Sequence, residues 1–297
     1  MPLKEQFAAQ VKEYAEIIRG LAKKIEISRG VDREIHRIAK QRARCPIDYM
    51  RYAEFGAVLA CLRLARGSRI LDAAGPQWLT FALAAQHPDV EFHYVNLTDY
   101  ELLPFERLRK LLNLDNLTIR REDLRKLSFP DEYFDEILSI SVVEHVYPEE
   151  GGDDLSLVEL KRVMRKDGSI IVTIPCKEKA NVVYIQGNVY ERSGAGKQFF
   201  AREYSPQTLS ALINRVGFLR EGLSYISEAP SLSSIDYLEW GPLRGTLKAN
   251  LLLKLYRGIE RFFRLPVEEI LALRKLSVTT AETPRLVNAV LHLRKAV

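Results

Sequence analysis

The chain has 297 residues, 47% of them hydrophobic, and a formal net charge of +5. Such a length and apolar content exclude a disordered chain and supply a core for one large domain or two small ones. The three cysteines, Cys45, Cys61 and Cys176, are far apart with no CxxC pair, which excludes a disulfide framework and a zinc site, so no metal is expected.

No apolar run approaches the ~20 residues that span a bilayer, and the N-terminus alternates charged with apolar residues in place of a signal-peptide block. The expected location is cytoplasmic. Leu3, Phe7, Val11, Tyr14, Ile18, Leu21 and Ile25 recur at spacings of three and four and predict one amphipathic helix. Gly30 stops it, and Asp32 caps a second helix carrying Ile35 and Ile38. The bland reading of this stripe is a cap packed on the main domain; a homodimer seam through the N-terminal helix, or a lid, is the alternative. After Cys45-Pro46, Asp48 caps a helix from Tyr49 to about Leu64, which Gly67 ends.

The organising stretch follows. Ser68-Arg69-Ile70-Leu71-Asp72 is an apolar strand ending in an acid; Ala73-Ala74-Gly75 is a small-residue turn; a helix begins near Trp78 and stops before Pro88. Small side chains let a ligand approach the backbone, and a helix start offers free N–H groups. The elements then alternate: strand 90–95 ending at Asn96, helix 102–112, strand 117–119, strand 134–140, helix 155–164 closed by Asp167-Gly168, and strand 169–174 closed by Pro175. Strands alternating with helices predict a parallel sheet covered on both faces. Residues 176–204 read as a loop rich in glycine and aromatics; Ser205-Pro206 opens a helix that Gly217 ends; 218–226 and 286–293 read as the last two strands. The segment 230–284 between them reads as a helical insertion.

Assembled, these residues resemble a class I S-adenosylmethionine-dependent methyltransferase over about 48–226 plus the final strand. The likeness is carried by Asp72 with its small-residue turn, by Asp123-Leu124-Arg125-Lys126-Leu127 followed by Phe134-Asp135, by Ser141-Val142-Val143-Glu144-His145, and by Glu159 to Gly168 leading into Thr173-Ile174-Pro175. It implies a doubly wound, Rossmann-like α/β fold with a seven-stranded sheet. The helical N-terminal cap is 1–47, the core 48–229 and 285–297, and the basic insertion 230–284. It also implies S-adenosyl-L-methionine as cofactor. The backbone at Ala74 and Gly75 approaches its methionine part, and Asp72 orients the ammonium. Asn96 stands where the family has an acid for the ribose hydroxyls. Asp123 accepts from the adenine amine beside Leu124, and Ser141 and Glu144 lie near the reacting methyl. The turn departs from the family in having Ala74 and Pro76 where glycines are usual, and Trp78 where a small residue is common.

Glu144 and His145 are the candidate catalytic pair at a strand's C-terminal end, with His145 suited to general base work; the bland reading of His145 is a loop contact. Tyr184, Tyr190, Arg202 and Tyr204 could line an acceptor pocket, Arg202 pairing with an anionic group, or could merely pack the loop. Cys176 reads as a small buried thiol. Eight basic and three acidic residues lie between Arg244 and Lys275, so the whole net charge belongs to that segment. Within it, 246–265 is a basic amphipathic helix: packing over the sheet edge is the bland reading, peripheral contact with an anionic membrane the sharper one. Nucleic acid is not an expected partner, since the rest of the chain is neutral. The function expected is methyl transfer to a small-molecule or lipid- or sugar-linked acceptor. The alternatives are a catalytically degenerate binding module acting through its helical cap and a nicotinamide-dependent oxidoreductase, the latter disfavoured by the absence of GxGxxG.

Overall fold

The computed structural model describes residues 3–228, 246–263, 267–282 and 285–296. Arg244 and Arg264 of the basic segment lie outside the described residues, as do the side chains of Leu3, Phe7, Arg257, Arg261, Phe262 and Phe263. The chain divides into two compact units, residues 1–60 with 226–279, and residues 61–225 with 280–297. The helix starting at Tyr49, read from sequence as part of the core, groups with the N-terminal helices.

In the first unit, α1 (Leu3–Glu26) packs on α2 (Arg33–Arg44). The side chains of Val11, Tyr14, Ile18, Leu21 and Ile25 are buried, so the chain itself covers this stretch of the stripe. Gly30 takes a positive φ, and the Asp32 carboxylate accepts from the Ile35 N–H at 3.0 Å, starting α2 as its sequence predicts. The third helix, α3 (Tyr49–Cys61), is tied in by Tyr49: its N–H donates to Glu268 and its hydroxyl to Glu228, at 2.9 and 2.7 Å.

In the second unit, β1 (Arg69–Ala73), β2 (Glu91–Asn96), β3 (Leu117–Arg121), β4 (Phe134–Ile140) and β5 (Met164–Pro175) are parallel neighbours. The helices between them are α4 (Gln77–Gln86), α5 (Asp99–Leu112) and α6 (Gly152–Val163). Residues 176–204 are not a loop. They hold an antiparallel hairpin, β6 (Asn181–Gln186) and β7 (Lys197–Glu203), built from a β-branched run that glycines bound. Next, α7 (Pro206–Val216) starts in a Ser205–Thr208 capping box and ends at left-handed Gly217.

The remaining strands are β8 (Phe218–Glu228), β9 (Leu276–Thr279) and β10 (Leu286–Lys295). Sheet order is β3-β2-β1-β4-β5-β10-β8-β9, with β10 antiparallel to β5. Seven of these strands are the expected doubly wound set. The eighth, β9, comes from the segment read as wholly helical, which also holds α8 (Leu247–Phe263) and α9 (Val267–Lys275). Gly168 closes no helix: α6 ends at Val163, and Gly168 sits within β5, where a Cβ would meet the Asp135 carbonyl oxygen at 2.7 Å. Its lack of a side chain lets β5 pass close to β4.

Candidate functional site

Strand order reverses at β1, with β2 and β3 on one side and β4 and β5 on the other. Beyond the C-terminal ends of these strands, where open α/β sheets bind ligands, lies a half-open cleft of about 200 Å³. Its walls come from Ala74 after β1, from Asn96, Thr98 and Glu101 between β2 and α5, and from Glu122 to Arg125 after β3. They are completed by Ser141, Val142 and His145 to Tyr147 after β4 and by Tyr190 to Arg192 in the β6–β7 hairpin.

Backbone strain gathers here. Among the described residues five non-glycines have positive φ, and three of them, Ala74, Ser141 and Tyr190, line this cleft. Each such residue costs on the order of 1–3 kcal/mol, which surrounding structure must offset.

The first turn is built on Asp72. Its carboxylate is buried, accepts from the Gly75 N–H at 2.7 Å, and takes a short bond from the Thr80 hydroxyl. Burial pushes its pKa up to about 6, against the lowering effect of those two donors. A Cβ on Gly75 would stand 2.7 Å from Asp72 Oδ1, so glycine is required by the acid beneath it. Ala74 lines the cleft, while Asp72 and Gly75 support it from behind. Pro76 precedes α4 with an extended backbone, and Trp78 is buried edge-on against Phe81, outside the cleft wall. The departures in this turn therefore leave the cleft open.

Asn96 is buried at the end of β2. Its Oδ1 accepts from the Thr98 N–H at 3.1 Å, which orients the amide, and its Nδ2 donates to Glu101 Oε2 at 2.7 Å. The Tyr100 hydroxyl donates to the other oxygen at 3.0 Å. A carboxylate thus stands on the cleft wall beside the position where the resemblance called for an acid, supplied five residues later by the first turn of α5. The Asn96–Glu101 pair was not singled out from sequence, although both residues are plain in it.

Asp123 lines the cleft with Leu124. Arg125 grips it through its backbone N–H and guanidinium, at 2.9 Å to Oδ1 and 2.5 Å to Oδ2, and holds its carboxyl below the ordinary range. Arg125 also donates to the Tyr147 carbonyl at 2.9 Å, joining two walls. Three N–H groups of Arg125, with Nε shared between both oxygens, occupy this carboxylate, whose roughly four acceptor sites leave one for a ligand.

Ser141 is anchored by its N–H to the Thr173 carbonyl at 3.0 Å. The 3-10 turn Val143–His145 buries Glu144 and leaves His145 partly open to the cleft. His145 Nδ1 lies 2.8 Å from the Phe200 carbonyl. A carbonyl can only accept, so Nδ1 carries the proton, and Nε2 is the basic nitrogen, 3.7 Å from Glu144 Oε1. Phe200 and Tyr190 pack against the ring edge-on at 4.7 and 5.6 Å between centroids. The histidine is thus held by the hairpin that sequence reading took for a loop.

Arg202 does not face the cleft. It is buried and donates to the carbonyls of Glu144, Val146, Pro148 and Glu149, with Asp153 at 3.5 Å. Tyr204, also buried, donates to Asp153 at 2.6 Å. Arg202 holds the 144–149 loop in place and Tyr204 holds Asp153 in α6, and of the four residues offered as acceptor contacts only Tyr190 lines the cleft. Cys176 is buried, which pushes its thiol up to about 12 and leaves it unreactive. In the first unit Cys45, Asp48 and Glu268 bring ligand atoms within 4.8 Å of one another. Asp48 is already gripped by both terminal nitrogens of Arg42, and Glu268 by the Tyr49 N–H.

Comparison with known proteins fits this fold. Residues 71–172 match the family model of the methyltransferase domain. Among solved structures, the [4+2]-cyclase SpnF shares 15% identity over 82% of this chain and 80% of its own, with TM-score 0.53. An S-adenosylmethionine-dependent methyltransferase from Methanosarcina mazei shares 11% over 81% and 97%, with TM-score 0.51. The MccD protein shares 12% over 84% and 99%, with TM-score 0.51. No curated protein sequence matches the chain.

Proposed function

We propose that this chain, whose residues 71–172 form a methyltransferase domain of the class I fold, binds S-adenosylmethionine in the cleft and methylates a hydroxyl of a small molecule or of a lipid- or sugar-linked acceptor. Fold alone does not carry this, since one fold relative is a cyclase. The cleft's donor set fits the cofactor. The Ala74-Gly75 turn offers backbone without bulk to the methionine part. Glu101, held by Asn96, offers two acceptor oxygens to a vicinal diol. Asp123 accepts from an amine, with apolar Leu124 beside it. Asp72 acts as a positioning residue, pinning the turn.

When bound, S-adenosylmethionine supplies an electrophilic methyl group on a positively charged sulfur. The chain supplies position and a proton acceptor. His145 Nε2 would take the proton of an acceptor hydroxyl held against it. The imidazolium so formed keeps its Nδ1–H on the Phe200 carbonyl and is stabilised by the buried Glu144 carboxylate. The observation that carries the reading is that hydrogen bond, because it leaves a basic nitrogen on the cleft wall.

Calorimetric titration with S-adenosylmethionine and S-adenosylhomocysteine, with NAD as control, tests the cofactor half. Micromolar binding of both sulfur compounds, weakened in Glu101→Gln and Asp123→Ala, is expected. A folded protein that binds neither would overturn the enzyme reading and favour the binding module; preference for NAD would favour an oxidoreductase.

A further inference from the structure

Helix α8 (Leu247–Phe263) belongs to the first unit and takes no part in the cleft. Leu247, Leu251 and Leu255 are 86%, 66% and 55% exposed. Single exposed leucines are ordinary. These three follow at i, i+4 and i+8, so at about 100° per residue they fall within about 80° of one another on the helix surface. Lys254 lies about 20° to one side of the strip and Lys248 about 20° to the other, both exposed. Leu252, Leu253 and Tyr256 point elsewhere and are half-buried. The outward face is thus an apolar strip two turns long with a lysine on each edge.

That arrangement selects its occupant. Lysine stems can lie along the strip's borders while their ammonium groups reach outward and up, as in helices lying in the plane of a membrane interface. The segment from Arg244 to Lys275 holds the chain's whole net positive charge, so the surface it meets is negatively charged. Pairing with a second copy through the same strip would set lysines against lysines along both edges. A nucleic acid would meet leucines where it needs stacking partners. We infer that α8 docks on an anionic lipid bilayer, with Leu247, Leu251 and Leu255 in the acyl boundary and Lys248 and Lys254 among the headgroup phosphates.

The test is co-sedimentation of the full chain with phosphatidylcholine vesicles, with and without phosphatidylglycerol at about one part in four. Binding is expected only to the mixed vesicles and is weakened by salt. K248Q/K254Q lowers the partition coefficient about thirtyfold, and L247S/L251S/L255S abolishes binding. Both variants keep the wild-type circular-dichroism melting curve, since the positions are exposed. A folded chain that ignores mixed vesicles, or variants that bind as wild type does, would overturn the inference. So would self-association in ultracentrifugation that the leucine variant abolishes while vesicle binding stays absent, assigning the strip to a second copy. None of these readouts involves methyl transfer, so failure of the cleft reading leaves them interpretable.

Discussion

The sheet of the second unit carries two polar clusters, and they differ in what their groups are free to do. One lies beyond the C-terminal ends of the parallel strands and includes Glu101, Asp123 and His145. The other lies nearer the start of β4, around Glu136 and Ser169, which are paired in register. In this second cluster Ser169 Oγ bonds Glu136 and stands 2.9 Å from His292 Nε2, which is 3.2 Å from Glu221. Arg294 and Arg63 approach Glu221 at 2.8 and 3.3 Å. A serine, a histidine and two acids in reach of one another look like a nucleophile and its base. Yet Ser169 is fully buried, and its hydroxyl is already held between Glu136 and His292. Burial pushes Glu136 up to about 7 and His292 down, so perturbed acidity alone does not mark a site. Access and strained backbone separate the two: the cleft is open and holds three left-handed non-glycines, Ala74, Ser141 and Tyr190.

The largest test of that contrast is His145→Asn, whose amide can keep the bond to the Phe200 carbonyl while removing the base. Methyl transfer is expected to fall by roughly a hundred- to ten-thousandfold, with S-adenosylmethionine binding changed by less than about threefold by calorimetry. Ser169→Ala, by contrast, should lower the melting temperature and leave the rate intact; a folded Ser169→Ala protein without activity would break the contrast. Next comes Glu101→Gln, which removes the charge that Asn96 holds on the cleft wall. Cofactor affinity should drop by about ten- to a hundredfold, the usual worth of hydrogen bonds to a charged group, and unchanged affinity would detach Glu101 from the site.

Gly75→Ala is expected to cost about 2 kcal/mol in urea unfolding, because its Cβ would collide with the Asp72 carboxylate and left-handed Ala74 leaves the turn no slack. A comparable effect, spread over several pH units, is on pH dependence. Glu136 has an ordinary value of 4.5 and stands at about 7 in the fold. Between those values the folded state holds more protons than the unfolded one, so stability falls as pH rises from about 5 to about 8, by on the order of 2 kcal/mol. Asp72, raised from 3.8 to about 6, acts with the same sign at lower pH. Glu136→Gln should flatten the upper part of that slope in unfolding measured across the range; an unaltered slope would mean that Glu136 titrates as a solvated acid.

Local periodicity was enough to read the parallel strands, their helices, the Asp32 and Ser205 caps and the left-handed Gly217, because each depends on residues a few positions apart. Most of the cleft was legible for the same reason: Ala74, Asn96, Asp123, Ser141 and His145 each lie at the C-terminal end of a strand or within five residues after it. The hairpin 181–203 was missed because its glycines and aromatics outweighed a short β-branched run. Three further outcomes could not be read locally. Glu101 reaches the wall because α5 turns back over β2, and Arg202 is drawn inward by four carbonyls more than fifty residues earlier in the chain. The His145 tautomer is set by a carbonyl fifty-five residues away. The sequence by itself determined the order of strands and helices and which turns end in small or polar residues, since these follow from neighbouring side chains. Only the tertiary structure decided which polar groups face the cleft and which spend their hydrogen bonds on the protein, because a donor is used up by whichever acceptor the fold brings within about 3 Å of it.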